Sequence, residues 1–237
     1  MIRSEFKRAP LNRQRVLRTA LDQADAQGLA TLSLHRVAAE LGVKAMSLYN
    51  HVDGKDALLD GLVEVMWTEV PLPEAGTGWQ DALRQLAGDV RRLVHGHPYA
   101  APLLTSRSVI PLRELEVMDA YLSLLQGAGM TEGRAAEILR TLYAYALGFA
   151  LIEISWLAGE SPDRIEDDEV HWMRRITQMV PDDAPDRLLR VALLMCAGCD
   201  MDAQFDLGTE LMLRGLEELA PDQKAKTSRS GARSVDG

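Results

Sequence analysis

The chain has 237 residues, of which 47% are apolar, 26% charged and only 5% aromatic, and its net charge is −9. That length can bury the core of one large or two modest domains, and the dominance of Leu, Ala and Met over aromatic and β-branched residues favours an all-α architecture. The overall acidity excludes a uniformly basic coat for a polyanion, but the charge is unevenly placed. Through Lys55 there are nine Lys/Arg against five Asp/Glu, a balance of +4, and the remaining residues carry −13. A basic head on an acidic body suits a chain that offers one end only to nucleic acid.

The opening residues MIRSEFKRAP hold no apolar core of the kind a secretory signal needs. They read either as a disordered tail over residues 1–9 or as a basic arm for a phosphate backbone or minor groove. Asn12 is placed to cap a first helix running to about Gln27, with Val16, Leu17, Ala20, Leu21 and Ala24 inward and Gly28 ending it.

Ser33 to Leu59, SLHRVAAELGVKAMSLYNHVDGKDALL, predicts two short helices joined by a glycine turn and followed at once by a third. Ser33 is a good N-cap, and Leu34, Val37, Ala38 and Leu41 form an apolar stripe that stops at Gly42. Val43 supplies the apolar turn residue, and Leu48 and Val52 carry the core face onward. The other face of the second helix holds Lys44, Ala45, Ser47, Tyr49, Asn50 and His51, with no carboxylate among them. Such groups hydrogen-bond phosphates and base edges or touch a thymine methyl, and Asn50 can pair bidentately with adenine. His35 and Arg36 face outward from the first helix of the pair. Asp53, with Asp56 three residues on, is expected to cap the third helix. A unit of this kind commonly places its second helix in the major groove of DNA.

Pro71, Pro73, Gly76 and Gly78 break the helical pattern and mark a domain boundary. Helices are then expected over Trp79 to Val94, stopping at His97-Pro98, and over Pro111 to Gln126, with proline in the first turn and Gly127 at the end. Thr131 to Ala158 predicts a long apolar helix, interrupted by Glu153 and preceded within its span by Arg140. With no second segment like it, a buried central helix is expected rather than a membrane span. Its Tyr143, Tyr145, Phe149 and Trp156 serve either as core or dimer interface, or in part (Tyr145, Phe149, Trp156) as the lining of an effector pocket with Glu153 as polar anchor. An acidic loop spans Glu160 to Glu169, helices follow over Val170 to Val180, Asp186 to Cys199 and Asp202 to Leu219, and residues 221–237 read as a disordered tail.

Cys196 and Cys199 form a Cys-x-x-Cys with no second pair and no nearby histidine, so no zinc site is expected; the pair reads as buried small hydrophobes, with a thiol redox role as the alternative. His95 and His97 are too sparse for a metal. Neither a glycine-rich phosphate loop nor a Gly-x-Ser-x-Gly nucleophile turn is present. An all-helical enzyme and a nonspecific architectural DNA binder remain as alternatives, the second short of positive charge.

The segment Ser33 to Leu59 resembles the DNA-binding domain of the TetR family of transcriptional regulators. The resemblance rests on Ala-x-x-Leu-Gly-Val at Ala38 to Val43, Leu-Tyr-x-His-Val at Leu48 to Val52 and Lys-x-x-Leu-Leu at Lys55 to Leu59. It covers residues 10–68. Residues 79–220 resemble, more weakly, the helical effector-binding and dimerisation domain of the tetracycline-repressor branch. The stretch from Tyr99 to Arg107 has no histidine where that repressor holds its magnesium ligand, which argues against tetracycline as the ligand.

The resemblance implies a homodimer that binds a palindromic operator in double-stranded DNA and is released by a small, apolar effector, with no cofactor or metal. It implies base contacts from Lys44, Ala45, Met46 and Ser47 and phosphate contacts from Tyr49, His51 and Lys55; Ser33, His35 and Arg36 are also expected at the DNA, Arg36 being the better phosphate candidate of the outward-facing pair. The last two long helices would pack as a four-helix bundle across the two-fold axis. A cytoplasmic location follows from that function.

Overall fold

A computed structural model describes residues 10–157, 181, 184–196 and 200–219, and among them there is no strand. The described residues fall into two compact units, one ending at Leu151 and one running from Ile152 to Leu219.

The first unit begins with α1 (Arg13–Gln27), whose N-cap Asn12 accepts a hydrogen bond from the Arg15 backbone N–H at 2.8 Å. Its expected inward residues are all buried, and Gly28 ends it at φ 79°. A single 3-10 turn (Leu29–Thr31) leads to α2 (Leu34–Leu41), α3 (Ala45–Leu48) and α4 (Gly54–Trp67). α1 and α4 pack closely because Gly61 of α4 lets the two backbones approach. A Cβ placed at Gly61 would stand 2.3 Å from Leu17 Cδ2, and Leu17 is itself buried. Gly61→Ala is therefore expected to destabilise the unit by about 1–3 kcal/mol, read as a lower urea midpoint. An unchanged midpoint would mean that Leu17 has room to turn away.

α5 (Trp79–Gly96), α6 (Leu103–Ser106), α7 (Leu112–Gly127) and the long α8 (Glu132–Leu157) follow. α5 buries Leu83, Leu86, Val90 and Leu93, the stripe expected from its spacing. α8 is the one described helix long and apolar enough to cross a membrane, and its Ala135, Leu139, Leu142, Ala146 and Ala150 are buried. The second unit holds the end of α8, then α9 (Asp186–Cys196) and α10 (Met201–Leu219).

Two local expectations are corrected, and one short helix was not expected. Asp53 occupies the N-cap position of α4 but makes no side-chain capping hydrogen bond. Its ψ of 72° is far from the extended values of Asn12 (167°) and Ser33 (151°), whose side chains do cap. Pro111 stands at the N-cap of α7 rather than inside its first turn. The four-residue α6, with buried Leu103, carries no periodicity that a sequence could display. The acidic loop, the Val170 to Val180 helix and both tails lie outside the described residues.

Candidate nucleic-acid interface

The helix-turn-helix is built by local rules. Ser33 Oγ accepts a hydrogen bond from the Arg36 backbone N–H at 3.3 Å, which starts α2. Gly42 takes the left-handed conformation at φ 67°, ψ 36°, and the Val43 N–H donates to the Ala38 carbonyl at 2.9 Å to close the helix. Leu34, Val37, Ala38, Leu41, Leu48 and Val52 are buried, so the turn is held from inside. α3 itself is one turn long, and Tyr49, Asn50 and His51 sit on the turn that follows it.

That arrangement leaves a continuous exposed patch. Met46 is 76% and Tyr49 52% exposed, large values for apolar and aromatic side chains with no solvent-side partner. Lys44, Asn50 and Lys55 are exposed beside them, and Ala45, Ser47 and His51 are half-buried. His35 and Arg36 are exposed on α2. Arg36 leans back, donating through its guanidinium to the Thr31 carbonyl at 3.3 Å while its own carbonyl accepts from Gln23 at 3.1 Å. Residues 44–51 hold no carboxylate, so this stretch can donate to phosphates and read base edges, while exposed Asp53 and Asp56 flank Lys55.

Ion pairs tie α4, the helix after this patch, to the rest of the unit. Arg13 and Arg18 of α1 pair with Glu64 and Glu69 at its end. Arg107, directly after α6, donates through Nε to Asp60 at 2.6 Å and through its guanidinium to the Asp56 carboxylate at 3.2 Å. Arg113 donates to the Val70 carbonyl at 3.1 Å. The buried His97, C-cap of α5, places Nδ1 2.7 Å from Asp25 of α1 and Nε2 2.9 Å from Glu69. Burial pushes its pKa down, yet hydrogen bonds to Glu69 and Asp25 outweigh that and hold it above the usual value. Glu69 is likewise pushed up by burial, but Arg18 and His97 together hold it below the ordinary carboxylate range. Burial raises Asp25 and prevails over the same imidazole, which pulls it down. The expectation that His97 merely ends a helix missed this role. For Arg107 the one sequence signal is the pair Asp56 and Asp60, one turn apart on α4, where a cation can dock.

A second group of polar side chains lies in the same unit. Trp67 and Tyr121 are fully buried, and neither the indole N–H nor the phenol hydroxyl has a hydrogen-bond partner among the described residues. The Trp67 ring lies 5.7 Å from that of Tyr143. Burial alone pushes the Glu114 carboxyl up to about 7. The hydroxyl of Tyr143 is raised by burial and, further, by the charge of Glu114.

Of the residues expected to line an effector pocket, Tyr145 and Phe149 are half-buried with ring centroids 5.8 Å apart, and the Arg91 guanidinium lies 5.9 Å from the Phe149 ring. Glu153 is buried. The side chains of Trp156 and Cys196, and all of Cys199, lie outside the described residues. No cluster disposed to hold a metal ion occurs among the described residues.

Comparison with known proteins gives the same picture throughout the chain. The family described as the tetracyclin repressor-like, C-terminal domain matches residues 71–220. The chain is 30% identical to the HTH-type transcriptional repressor DrrR1 of Streptomyces coeruleorubidus, over 92% of its own length and 82% of that protein. It is 30% identical to the class C tetracycline repressor protein of Escherichia coli, over 88% of its own length and 92% of the repressor. The solved structure of the Streptomyces coelicolor protein ActR in complex with actinorhodin matches with a TM-score of 0.70 at 29% identity, covering 90% of this chain and 100% of that one.

Proposed function

The chain belongs to the TetR family of transcriptional regulators, and from that premise we propose a repressor that leaves a palindromic operator when a small molecule binds it. Residues 10–68 serve as its DNA-binding domain and residues 79–220 as its effector-binding and dimerisation domain. The exposed patch of Lys44, Met46, Tyr49 and Asn50 on and after α3, with Lys55 beyond it, carries this reading, because residues 44–51 offer an apolar and aromatic surface without acids that suits contact with DNA. Base contacts fall to Lys44, Ala45, Met46 and Ser47. Tyr49, His51 and Lys55 take phosphates.

A homodimer supplies the second recognition helix one turn of DNA away, about 34–36 Å. Exposed leucines and a valine at helical spacing on α9 (Leu188, Val191, Leu194) and exposed leucines on α10 (Leu207, Leu211) favour those helices as its interface. The protein works by binding rather than catalysis, in the cytoplasm where the DNA is. The ActR complex with actinorhodin and the relation to a tetracycline repressor support a small organic effector. Such an effector shifts the equilibrium only by binding the two conformations differently.

The test begins with selection of bound sequences from random duplex DNA. On the recovered operator, Tyr49→Ala is expected to weaken binding about three- to tenfold in a gel-shift titration, as loss of a phosphate hydrogen bond and its packing would. Helical content by circular dichroism should be unchanged. Equal affinity for the variant would remove Tyr49 from the interface, and the absence of any enriched palindrome would overturn operator recognition as a whole.

A further inference from the structure

Residues 97–107 grip α4 at two places. At one end of this stretch the Arg107 guanidinium is held by Asp56 and Asp60, in the first half of the helix. At the other end the His97 imidazole lies on Glu69, just past Trp67, where α4 closes. The backbone between them starts from the same histidine, whose carbonyl accepts from the Ala100 and Ala101 N–H groups at 3.0 and 2.8 Å. Both grips use a cation, but a guanidinium stays charged at any physiological pH and an imidazole does not.

The two carboxylates on the buried imidazole are not equivalent. Glu69 has a second cation, Arg18 of α1. Asp25 of α1 relies on the imidazole: its Oδ2 lies 2.7 Å from Nδ1, while its Oδ1 is buried with no hydrogen-bond partner among the described residues. The other charges that Asp25 feels, Asp22 of α1 and Glu69, are acids. A neutral ring has one N–H to donate and turns a lone pair toward the other carboxylate.

We propose that His97 is a positioning residue for operator binding, which fastens the end of α4 to α5 when protonated and releases it when neutral, so that operator affinity falls as pH rises. The inference rests on the operator-binding reading above and adds a regulatory input to it. On losing its proton the ring keeps Asp25, which has no substitute, and lets go of Glu69, which keeps Arg18. The Arg107 grip holds throughout, so only one end of α4 is freed. α4 follows the recognition turn directly, and a helix fastened at both ends holds that turn in one place relative to α5. A protein that must order this joint on the DNA binds more weakly, in proportion to the share of molecules already competent. Burial lowers the pKa of the ring, but its hydrogen bonds to Glu69 and Asp25 outweigh that and bring the change toward neutral pH.

The test uses the full-length protein and the operator recovered by selection, with affinity read by fluorescence anisotropy from about pH 6 to 8.5. His97→Gln is neutral throughout and can still donate to Asp25. It should bind at least about threefold more weakly than the wild type at the acidic end and match it within about twofold at the alkaline end. Glu69→Gln should shrink the same step, because an amide accepts from the protonated ring and donates to the neutral one. It carries the test if circular dichroism shows that His97→Gln does not fold. Protonation of His35 or His51 at the DNA would add a pH dependence of its own by gaining a phosphate, and would steepen the slope of log affinity against log salt. His97 is buried, so wild type and His97→Gln should share one salt slope at each pH. Profiles of the same shape in the wild type and both variants would overturn the proposal, as would a wild type that gains on His97→Gln as pH rises. A wild type without saturable operator binding at any pH would instead overturn operator recognition, and this inference with it.

Discussion

Replacing His97 with alanine is expected to lower stability by about 2–4 kcal/mol at pH 6, a drop of several degrees in melting temperature. The imidazole is buried with both ring nitrogens on carboxylates, Asp25 at 2.7 Å and Glu69 at 2.9 Å. Both nitrogens can donate only when the ring is protonated. Removing it leaves two acids, from α1 and from the end of α4, facing each other in a partly desolvated space. The pH dependence has a definite sign. The pKa of His97 is raised in the fold, so its contribution is complete below its unfolded value of about 6.5 and drains away as pH climbs through the folded value. Glu69 is lowered, so its contribution is present above the ordinary glutamate range and is lost on acidification. The His97 and Glu69 contributions are therefore both present between about pH 4.5 and 6.5, while Asp25, raised by burial, works against them as it ionises. Urea midpoints of the wild type should fall between pH 6.5 and 8.5, while those of His97→Ala stay level over the same range. Equal midpoints for the two proteins at pH 6 would show that the three groups contribute nothing net.

Disrupting Arg107 is expected to uncouple effector binding from DNA release. Arg107 follows α6 and grips α4 at two carboxylates one turn apart, Asp60 and Asp56, and at the Asp56 backbone carbonyl. α4 in turn follows the recognition turn directly. Any movement of α6 would therefore reach α4 through a guanidinium held by two carboxylates. In Arg107→Ala, operator affinity without effector should stay within about threefold of wild type, because no DNA-facing residue changes. The effector concentration needed for half release should rise at least tenfold, the size of an ordinary coupling free energy. The reversed pair, Arg107→Asp with Asp60→Arg, should recover part of the response. Full release by Arg107→Ala at the wild-type effector concentration would exclude this contact as the connection.

Much of the DNA-binding head is legible along the chain because its determinants are local. Asn12, Ser33 and Gly42 each act within four residues of their own position, through caps and a left-handed turn, and each acts as its identity predicts. Asp53 shows where that logic stops. A side chain competent to cap does so only if the backbone entering the helix is extended, and the Val52-Asp53-Gly54 turn is not. Likewise α6 is too short for any period to show, and it persists because Leu103 is buried and Arg107 is anchored on α4.

The sequence by itself determined that the chain is helical, that residues 33–59 form a helix-turn-helix followed by a third helix, and that the charge on the two parts differs in sign. These follow from spacing, capping residues and composition, which act over short stretches of chain. Only the tertiary structure decided which ionisable and polar groups meet. His97 lies 72 residues from Asp25 and 28 from Glu69, and Arg107 lies 47 from Asp60. The same is true of Trp67 with Tyr143 on α4 and α8. Such pairs leave no local signal, because their energies arise from desolvation and contact, and both exist only once distant helices have packed.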